Sequence, residues 1–317
     1  MNCSPVSPLV FEPLFMERVW GGRRLESLFG KNLPPKKSIG ESWEIVDRPE
    51  AQSIVRDGPW QGKTLHQLWL DHRAEIFGGG LPDSPRFPIL VKLLDARETL
   101  SLQVHPNAQL AASLGGEPKS ELWYFAAADE GAEIFVGLRE GVQPTQFEQA
   151  IDDGRVAELV PRLPVTTGDS FFVPSGRLHA IGGGNLIVEI QQNSDTTYRV
   201  FDWGRTDDQG QARPLHRAES MRAIDFQDYE PRLVRPIGEQ LLASPYFVVE
   251  LWELSAPRAA SELGGFAIFA CLEGGARCGG MEAETGDFFL VPASAAASEL
   301  RPLQGKAVLL RVTLPCR

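Results

Sequence analysis

Short apolar runs set off by Gly, Pro and Asp dominate the chain. The runs Ile89–Leu94, Leu100–Val104, Leu122–Ala126, Ala132–Val136, Ser170–Val173 and Leu186–Gln191 have the length and composition of β-strands. The same pattern returns at Phe247–Leu254, Phe266–Leu272, Phe288–Val291 and Lys306–Val312. Close spacing with turn residues between the runs predicts an all-β sandwich or barrel carrying a few helices. Three segments have helical periodicity. Thr64–Phe77 places Leu65, Leu68, Trp69 and His72 on one stripe, Thr145–Asp152 opens on a Thr cap with Glu148 three residues on, and Leu215–Ile224 is the third. The polar, Pro-bounded stretch 225–235 divides the chain into a larger unit, residues 1–230, and a smaller one, residues 231–317.

One frame occurs twice. Residues 168–184 read GDSFFVPSGRLHAIGGG and residues 286–300 read GDFFLVPASAAASEL. Gly and Asp make a tight turn, Phe and Val fill both faces of a buried strand, and Pro stops strand pairing. Two copies beside similarly ordered strands predict duplicated β domains. On this register His179 of the first copy stands opposite Ala297 of the second. The run Gly182-Gly183-Gly184 after His179 would let backbone approach a ligand closely.

Composition narrows the class. The chain has 317 residues, 43% hydrophobic and 23% charged, as expected for a soluble globular protein. Its apolar runs fall far short of the roughly 18–20 residues that span a membrane, and residues 1–13 lack the basic and apolar regions of a secretory signal. Four cysteines (Cys3, Cys271, Cys278, Cys316) show no metal-pair spacing and fit reduced thiols in a cytoplasmic protein. A net charge of −11 argues against nucleic acid, which is bound through basic side chains, but a local basic cluster can still hold a small anion. Nothing in the sequence implies a membrane or an obligate protein partner.

Chemistry enters through polar residues on strand faces. Side chains alternate along a strand, so Ser101, Gln103 and His105 share one face while Leu102 and Val104 share the other. A solvated edge strand would look the same. Glu121, however, shares a face with Trp123 and Phe125, where a carboxylate is costly unless paired or bound to a metal. With His179 added, two imidazoles, a carboxylate and an amide oxygen form a set suited to zinc or another first-row divalent ion. Glu189 and Gln191 likewise share a face of the strand LIVEIQ, opposite Val188 and Ile190. The spacing alone is only moderately specific.

The segment Gly168-x5-Pro174-x-Gly176-x2-His179 resembles the second motif of the cupin superfamily. Gln103-x-His105 followed by Glu121 resembles the first motif in the form used by type I phosphomannose isomerases. Residues 15–22, 39–44, 104–106, 119–124 and 191–200 also resemble that family, so the likeness runs over about residues 10–205. It implies two cupin, or jelly-roll β-barrel, domains, the C-terminal one degenerate and without metal ligands. It further implies one Zn2+ held by Gln103, His105, Glu121 and His179, and a phosphosugar substrate, with mannose 6-phosphate and fructose 6-phosphate interconverted through an enediol or enediolate. Arg199 matches the family's catalytic arginine. Lys119, Glu189 and Asp195 match polar residues of its active site, and Ser101 matches a serine linked to substrate phosphate. Glu189, Asp195, Lys119 and a zinc-bound water all remain candidates for the proton carrier. The retained ligands and Arg199 set this chain apart from a non-catalytic sugar-binding cupin, and Gln103 sets it apart from His-rich iron oxygenases. Another metal-dependent phosphosugar isomerase remains the alternative activity.

Overall fold

A computed structural model of the chain describes residues 7–206, 210–261, 264–295 and 298–315. Four antiparallel sheets stack in order. A five-stranded sheet holds the short strands Leu102–Val104, Glu133–Val136, Arg162–Pro164, His179–Ile181 and Tyr198–Phe201. It faces a six-stranded sheet ordered Leu14–Gly22, Ile39–Ile45, Ile89–Ala96, Asn185–Gln192, Glu121–Ala128 and Ser170–Val173. A second six-stranded sheet (Leu9–Val10, Phe288–Val291, Ala267–Glu273, Ala307–Thr313, Val248–Leu254, Gln240–Ala243) faces a four-stranded one built from Arg258–Ala259, Glu299–Pro302, Gly275–Cys278 and Met281–Glu284.

The apolar alternation read from the sequence explains the stacking. Trp123, Phe125 and Ile187 point into the first sheet pair with Trp20, Phe171 and Ile181. Leu122, Tyr124, Val188 and Ile190 point the other way, into a large cluster shared with Phe247, Ile268, Leu290 and Leu310 of the second pair. Ile89–Ala96, Glu121–Ala128 and Asn185–Gln192 of the first six-stranded sheet are therefore buried on both faces along most of their length, which is why they read as mostly apolar runs. The second pair closes over Trp252, Phe269, Phe289 and a set of Ala, Leu and Cys side chains. Leu9–Val10, near the start of the chain, pair with Phe288–Val291 near its end, so the second six-stranded sheet draws on both sides of the 225–235 joint.

The repeated frame folds the same way twice. Gly168 N–H donates to Phe125 O and Phe125 N–H to Asp169 O. In the second copy Gly286 N–H donates to Cys271 O and Cys271 N–H to Asp287 O. Both glycines are left-handed, at φ 92° and 94°, where a side chain would be strained. Both aspartates lock the turn by accepting a backbone N–H three residues back, Thr166 N at 2.7 Å and Glu284 N at 2.8 Å. On this register Phe125 corresponds to Cys271 and Glu121 to Ala267. Ala297 lies outside the described residues, as do Cys3 and Cys316.

Several sequence expectations are corrected. The helix predicted over 64–77 breaks at His72 (φ −128°, ψ 25°) into Leu65–Asp71 and Arg73–Ile76. Leu65, Leu68 and Trp69 are buried as the stripe required, whereas His72 turns out against the Trp60 ring at 4.3 Å. The helix expected to be capped by Thr145 begins at Pro144 behind Gln143, without a side-chain cap, because Pro suits the first helical position. The third helix is shorter than 215–224, running Arg217–Ala223. In the run Gly182–Gly184 the backbone packs closely against its neighbours: a Cβ on Gly182 would lie 2.2 Å from Glu133 O. Strands at Leu14–Gly22, Ile39–Ile45 and Tyr198–Phe201 were not anticipated from apolar runs, since charged residues interrupt each of the first two and Arg199 the third.

Candidate active site

The facing sheets of the first pair bring the polar strand positions to one place. His179 sits opposite Gln103 in register, and Gln103 sits opposite Arg199 on its other side, so Arg199, Gln103 and His179 lie side by side across three strands. Glu121 stands at the start of its strand, and Gly176 N–H ties the turn before His179 to the His105 carbonyl at 2.8 Å. One ligand atom from each of His105, Glu121 and His179 lies within 4.8 Å of the others, and all three residues are buried.

Backbone hydrogen bonds fix the imidazoles. His105 Nδ1–H donates to Thr196 O at 2.8 Å and His179 Nδ1–H to Arg177 O at 2.8 Å. A carbonyl only accepts, so each Nδ1 carries the proton and each Nε2 presents a lone pair inward. His105 Nε2 lies 3.6 Å and His179 Nε2 3.5 Å from the Glu121 carboxylate. His105 Nε2 and Glu121 Oε1 have no hydrogen-bond partner, although buried acceptors are nearly always satisfied. Burial together with the Lys119 cation keeps the His105 imidazole neutral, its pKa lowered. Burial, then the neighbouring His105, pushes His179 down to about 3. Burial alone would raise Glu121, but the Lys119 cation outweighs it and holds the carboxyl well below its usual range. Two neutral imidazoles and a carboxylate aimed at one point, with orphaned acceptors, are the donor set of a divalent metal site. Gln103 borders the same point, its amide nitrogen 3.3 Å from His179 Nε2.

Above this cluster opens a pocket of about 480 Å³ lined by Ser101, Gln103, Lys119, Glu189, Asp195 and Arg199, among others. Every catalytic and substrate-binding residue named from the sequence therefore faces one cavity. Lys119 Nζ lies 2.8 Å from Glu121 Oε2 and 3.8 Å from Glu189 Oε1. Burial would lower its pKa, yet Glu121 and Glu189 raise it, so it stands as a cation. Glu189, held by Trp123 Nε1 at 3.1 Å, is raised to about 6 by burial and by Glu121, against the pull of Lys119 and Lys92. Asp195 lies at the rim, 47% exposed and 4.0 Å from Lys92. Arg199 donates through Nη1 to Pro214 O at 2.8 Å, and its buried Nε has no partner.

Sequence reasoning missed three charged residues of this floor. Lys92 is buried, 3.7 Å from Glu189 and 3.8 Å from Glu41. Glu41 is gripped by Arg18 through two bonds (2.9 and 3.3 Å) and by Trp43 Nε1 at 2.6 Å. Its burial would raise its pKa, but Lys92 and Arg18 bring it down to about 2. The floor is thus a row of alternating charges, Arg18–Glu41–Lys92–Glu189–Lys119–Glu121. The signal that singled out Glu121, a charge inside an apolar strand, was equally present for Lys92 in ILVKLLDA.

Comparison with known proteins agrees with this geometry. The model for the catalytic domain of type I phosphomannose isomerases matches residues 9–142. A probable mannose-6-phosphate isomerase of Bacillus subtilis is 40% identical over 300 residues, spanning 90% of this chain and 93% of that protein. A mannose-6-phosphate isomerase of Streptococcus mutans is 39% identical over 278 residues, spanning 84% of this chain and 86% of its own. The crystal structure of the mannose 6-phosphate isomerase of B. subtilis resembles the present fold with a TM-score of 0.86 at 33% identity, covering 98% of this chain and 100% of that one. The chain belongs to the type I phosphomannose isomerase family.

Proposed function

We propose that this chain interconverts D-mannose 6-phosphate and D-fructose 6-phosphate through an enediolate, with one zinc ion held by Gln103, His105, Glu121 and His179. The observation that carries the reading is the buried His105–Glu121–His179 cluster, with its orphaned acceptors, which adjoins a charged pocket through the lining residues Gln103 and Lys119. An amide flip at Gln103 would turn its oxygen toward the same point as the other three donors. When bound, the ion supplies Lewis acidity toward the sugar oxygens.

The chain's own residues supply the rest. Lys119, paired with Glu121, stays charged and orients that carboxylate. Glu189 is the group best suited to carry the proton between C2 and C1, because it is buried on the pocket floor and its pKa of about 6 lies near neutral pH. Arg199, adjacent in register to Gln103, opposes the negative charge that develops on the substrate oxygen. Ser101, 3.5 Å from the Gln103 side chain, binds substrate on the same wall. Asp195 closes the rim.

The second sheet pair is read as a degenerate domain without metal. Ala267 occupies the position that Glu121 holds in the first, and Trp252, Phe269 and Phe289 fill the interior. Its role is to cover the back of the catalytic sheet through the shared apolar cluster. Cytoplasmic location belongs to the same reading, supported by the unpaired buried thiols Cys271 and Cys278. No helix among the described residues is long and apolar enough to cross a membrane.

A coupled assay that follows fructose 6-phosphate formed from mannose 6-phosphate tests the proposal. Turnover should vanish on chelation and return with stoichiometric zinc. Fully metallated protein with no turnover would overturn it.

A further inference from the structure

Arg213 lines the pocket beside Arg199, and no strand pattern pointed to it. Residues 213–216 run alongside Tyr198–Phe201. Arg199 N–H donates to His216 Nδ1 at 3.1 Å, His216 N–H donates to Arg199 O at 2.8 Å, and Arg199 Nη1 reaches Pro214 O. Arg213 is therefore one step further from the His–Glu–His cluster than Arg199, on the same wall.

A single carboxylate aims it. Asp202, 6% exposed, accepts Arg213 Nε at 2.7 Å and Arg213 Nη2 at 2.6 Å in a two-pronged grip that does not use Nη1. The same carboxylate accepts Arg205 Nη2 at 2.5 Å, while Arg205 Nη1 is spent on Thr99 O. One guanidinium would satisfy Asp202, yet Arg205 and Arg213 both bind it, and Arg199 lies close by. Among the described residues neither Arg205 nor Arg213 forms an ion pair with any other carboxylate, and Arg199 forms none. Burial and then the neighbouring Arg213 pull the Arg199 guanidinium below its ordinary range, the mark of local positive excess.

The contrast with the floor is informative. There each cation meets its own carboxylate, Arg18 with Glu41, Lys92 with Glu189 and Lys119 with Glu121, so the charges cancel. Here, among the described residues, Arg199, Arg205 and Arg213 face the single carboxylate of Asp202, and a phosphomonoester carries about −1.5 to −2 at neutral pH.

We propose that Arg213, aimed by Asp202, is the residue that anchors the substrate's phosphate and selects phosphomonoesters over free sugars. The carbonyl end of the substrate then lies toward Gln103 and the His–Glu–His cluster, and the phosphate end lies toward Arg213, with Arg199 between. The inference rests on the isomerase reading for the sugar, but the anion site stands without it.

The test compares wild type, Arg213→Met and Arg213→Lys, each zinc-loaded, with mannose 6-phosphate as substrate and inorganic phosphate as competing probe. In Arg213→Met the KM should rise about thirtyfold, which is about 2 kcal/mol at 1.4 kcal/mol per tenfold. The loss should fall on KM and not on kcat, and the inhibition constant of phosphate should rise in parallel. Arg213→Lys keeps the charge and should recover part of both. Unchanged KM and unchanged phosphate inhibition in Arg213→Met would overturn the proposal while leaving the isomerase reading intact. A wild type that binds phosphate through Arg213 but does not turn over mannose 6-phosphate would refute the isomerase reading and support the anion site.

Discussion

Replacing Lys92 by Met should move the acid limb of the pH–rate profile to higher pH. Lys92 Nζ lies 3.7 Å from Glu189 Oε1 and is buried, over the Trp43 ring. A charge pair at that distance is worth about 4 kcal/mol at an effective dielectric of about 20. At 1.36 kcal/mol per pKa unit this is an upper bound of about 3 units. Glu189 keeps Lys119 at 3.8 Å and the Trp123 N–H bond, and water entering from the pocket restores part of the lost solvation. A rise of about 1–2 units is therefore expected. Methionine matches the length of the lysine stem and leaves no cavity. Glu41 is not orphaned, because Arg18 and Trp43 still hold it. The perturbation thus falls mainly on Glu189.

The sign follows from the role. A base works deprotonated, so activity is present above the Glu189 pKa and lost as pH falls through it. Wild type should lose kcat/KM as pH drops through about 6. Lys92→Met should lose it about 1–2 units higher. The assay is kcat/KM for mannose 6-phosphate across pH 4.5–9 (roughly the span that brackets both limbs), with zinc content measured at each end. Where the variant is too slow to profile, carbon NMR of labelled glutamate reads the same titration directly. An acid limb that stays in place in zinc-loaded Lys92→Met would refute Glu189 as the titrating base.

Two further substitutions separate catalysis from architecture. Arg199→Ala should cut kcat by about 10²–10³-fold, the usual cost of removing one preorganised donor to a developing oxyanion, while zinc content stays unchanged. Loss of zinc together with activity would instead make Arg199 structural. Glu41→Gln tests the alternating row through stability. The folded pKa of Glu41 is lowered from 4.5 to about 2, so its stabilisation is present above about 4.5 and lost as pH falls toward 2. The shift corresponds to about 3 kcal/mol. Denaturant midpoints of wild type and Glu41→Gln should differ most near neutral pH and converge as pH falls below 4.5. A gap that stays constant with pH would show that charge pairing is not the cause.

The strands were legible where apolar residues outnumber the charges they bury, as in Ile89–Ala96 around Lys92 and Asn185–Gln192 around Glu189. They were not legible where charges break the run more often. Ile39–Ile45 is buried along its whole length, yet its sequence IGESWEI alternates carboxylates toward opposite faces. Glu41 turns to Arg18 and Lys92 in the pocket, whereas Glu44 turns to Lys31 at 2.8 Å and Ser42 at 2.6 Å. Each carboxylate is tolerable only because its partner arrives from another strand or from the segment after the first helix. Local periodicity carries no trace of such pairings. The broken helix at His72 and the absent cap at Thr145 have the same origin, since tertiary packing and a proline overrode local preferences.

The candidate site was legible for a complementary reason. A charge on an aromatic strand face is expensive, so Glu121 stood out by itself, while Gln103, His105 and His179 became specific through their resemblance to the family's motifs. Arg213 and Asp202 did not, because they sit on a turn-rich segment where polar residues are ordinary. Only the return of residues 213–216 against Tyr198–Phe201 turns them into part of a wall. The same logic accounts for the doubled frame. Gly168-Asp169 and Gly286-Asp287 persist because the left-handed turn and its carboxylate lock need those two residues wherever the strand is used. The ligand positions obey no such backbone demand. Glu121 is tolerated beside Trp123 by Lys119, and the second sheet pair, with Ala267 in its place, has an apolar interior instead.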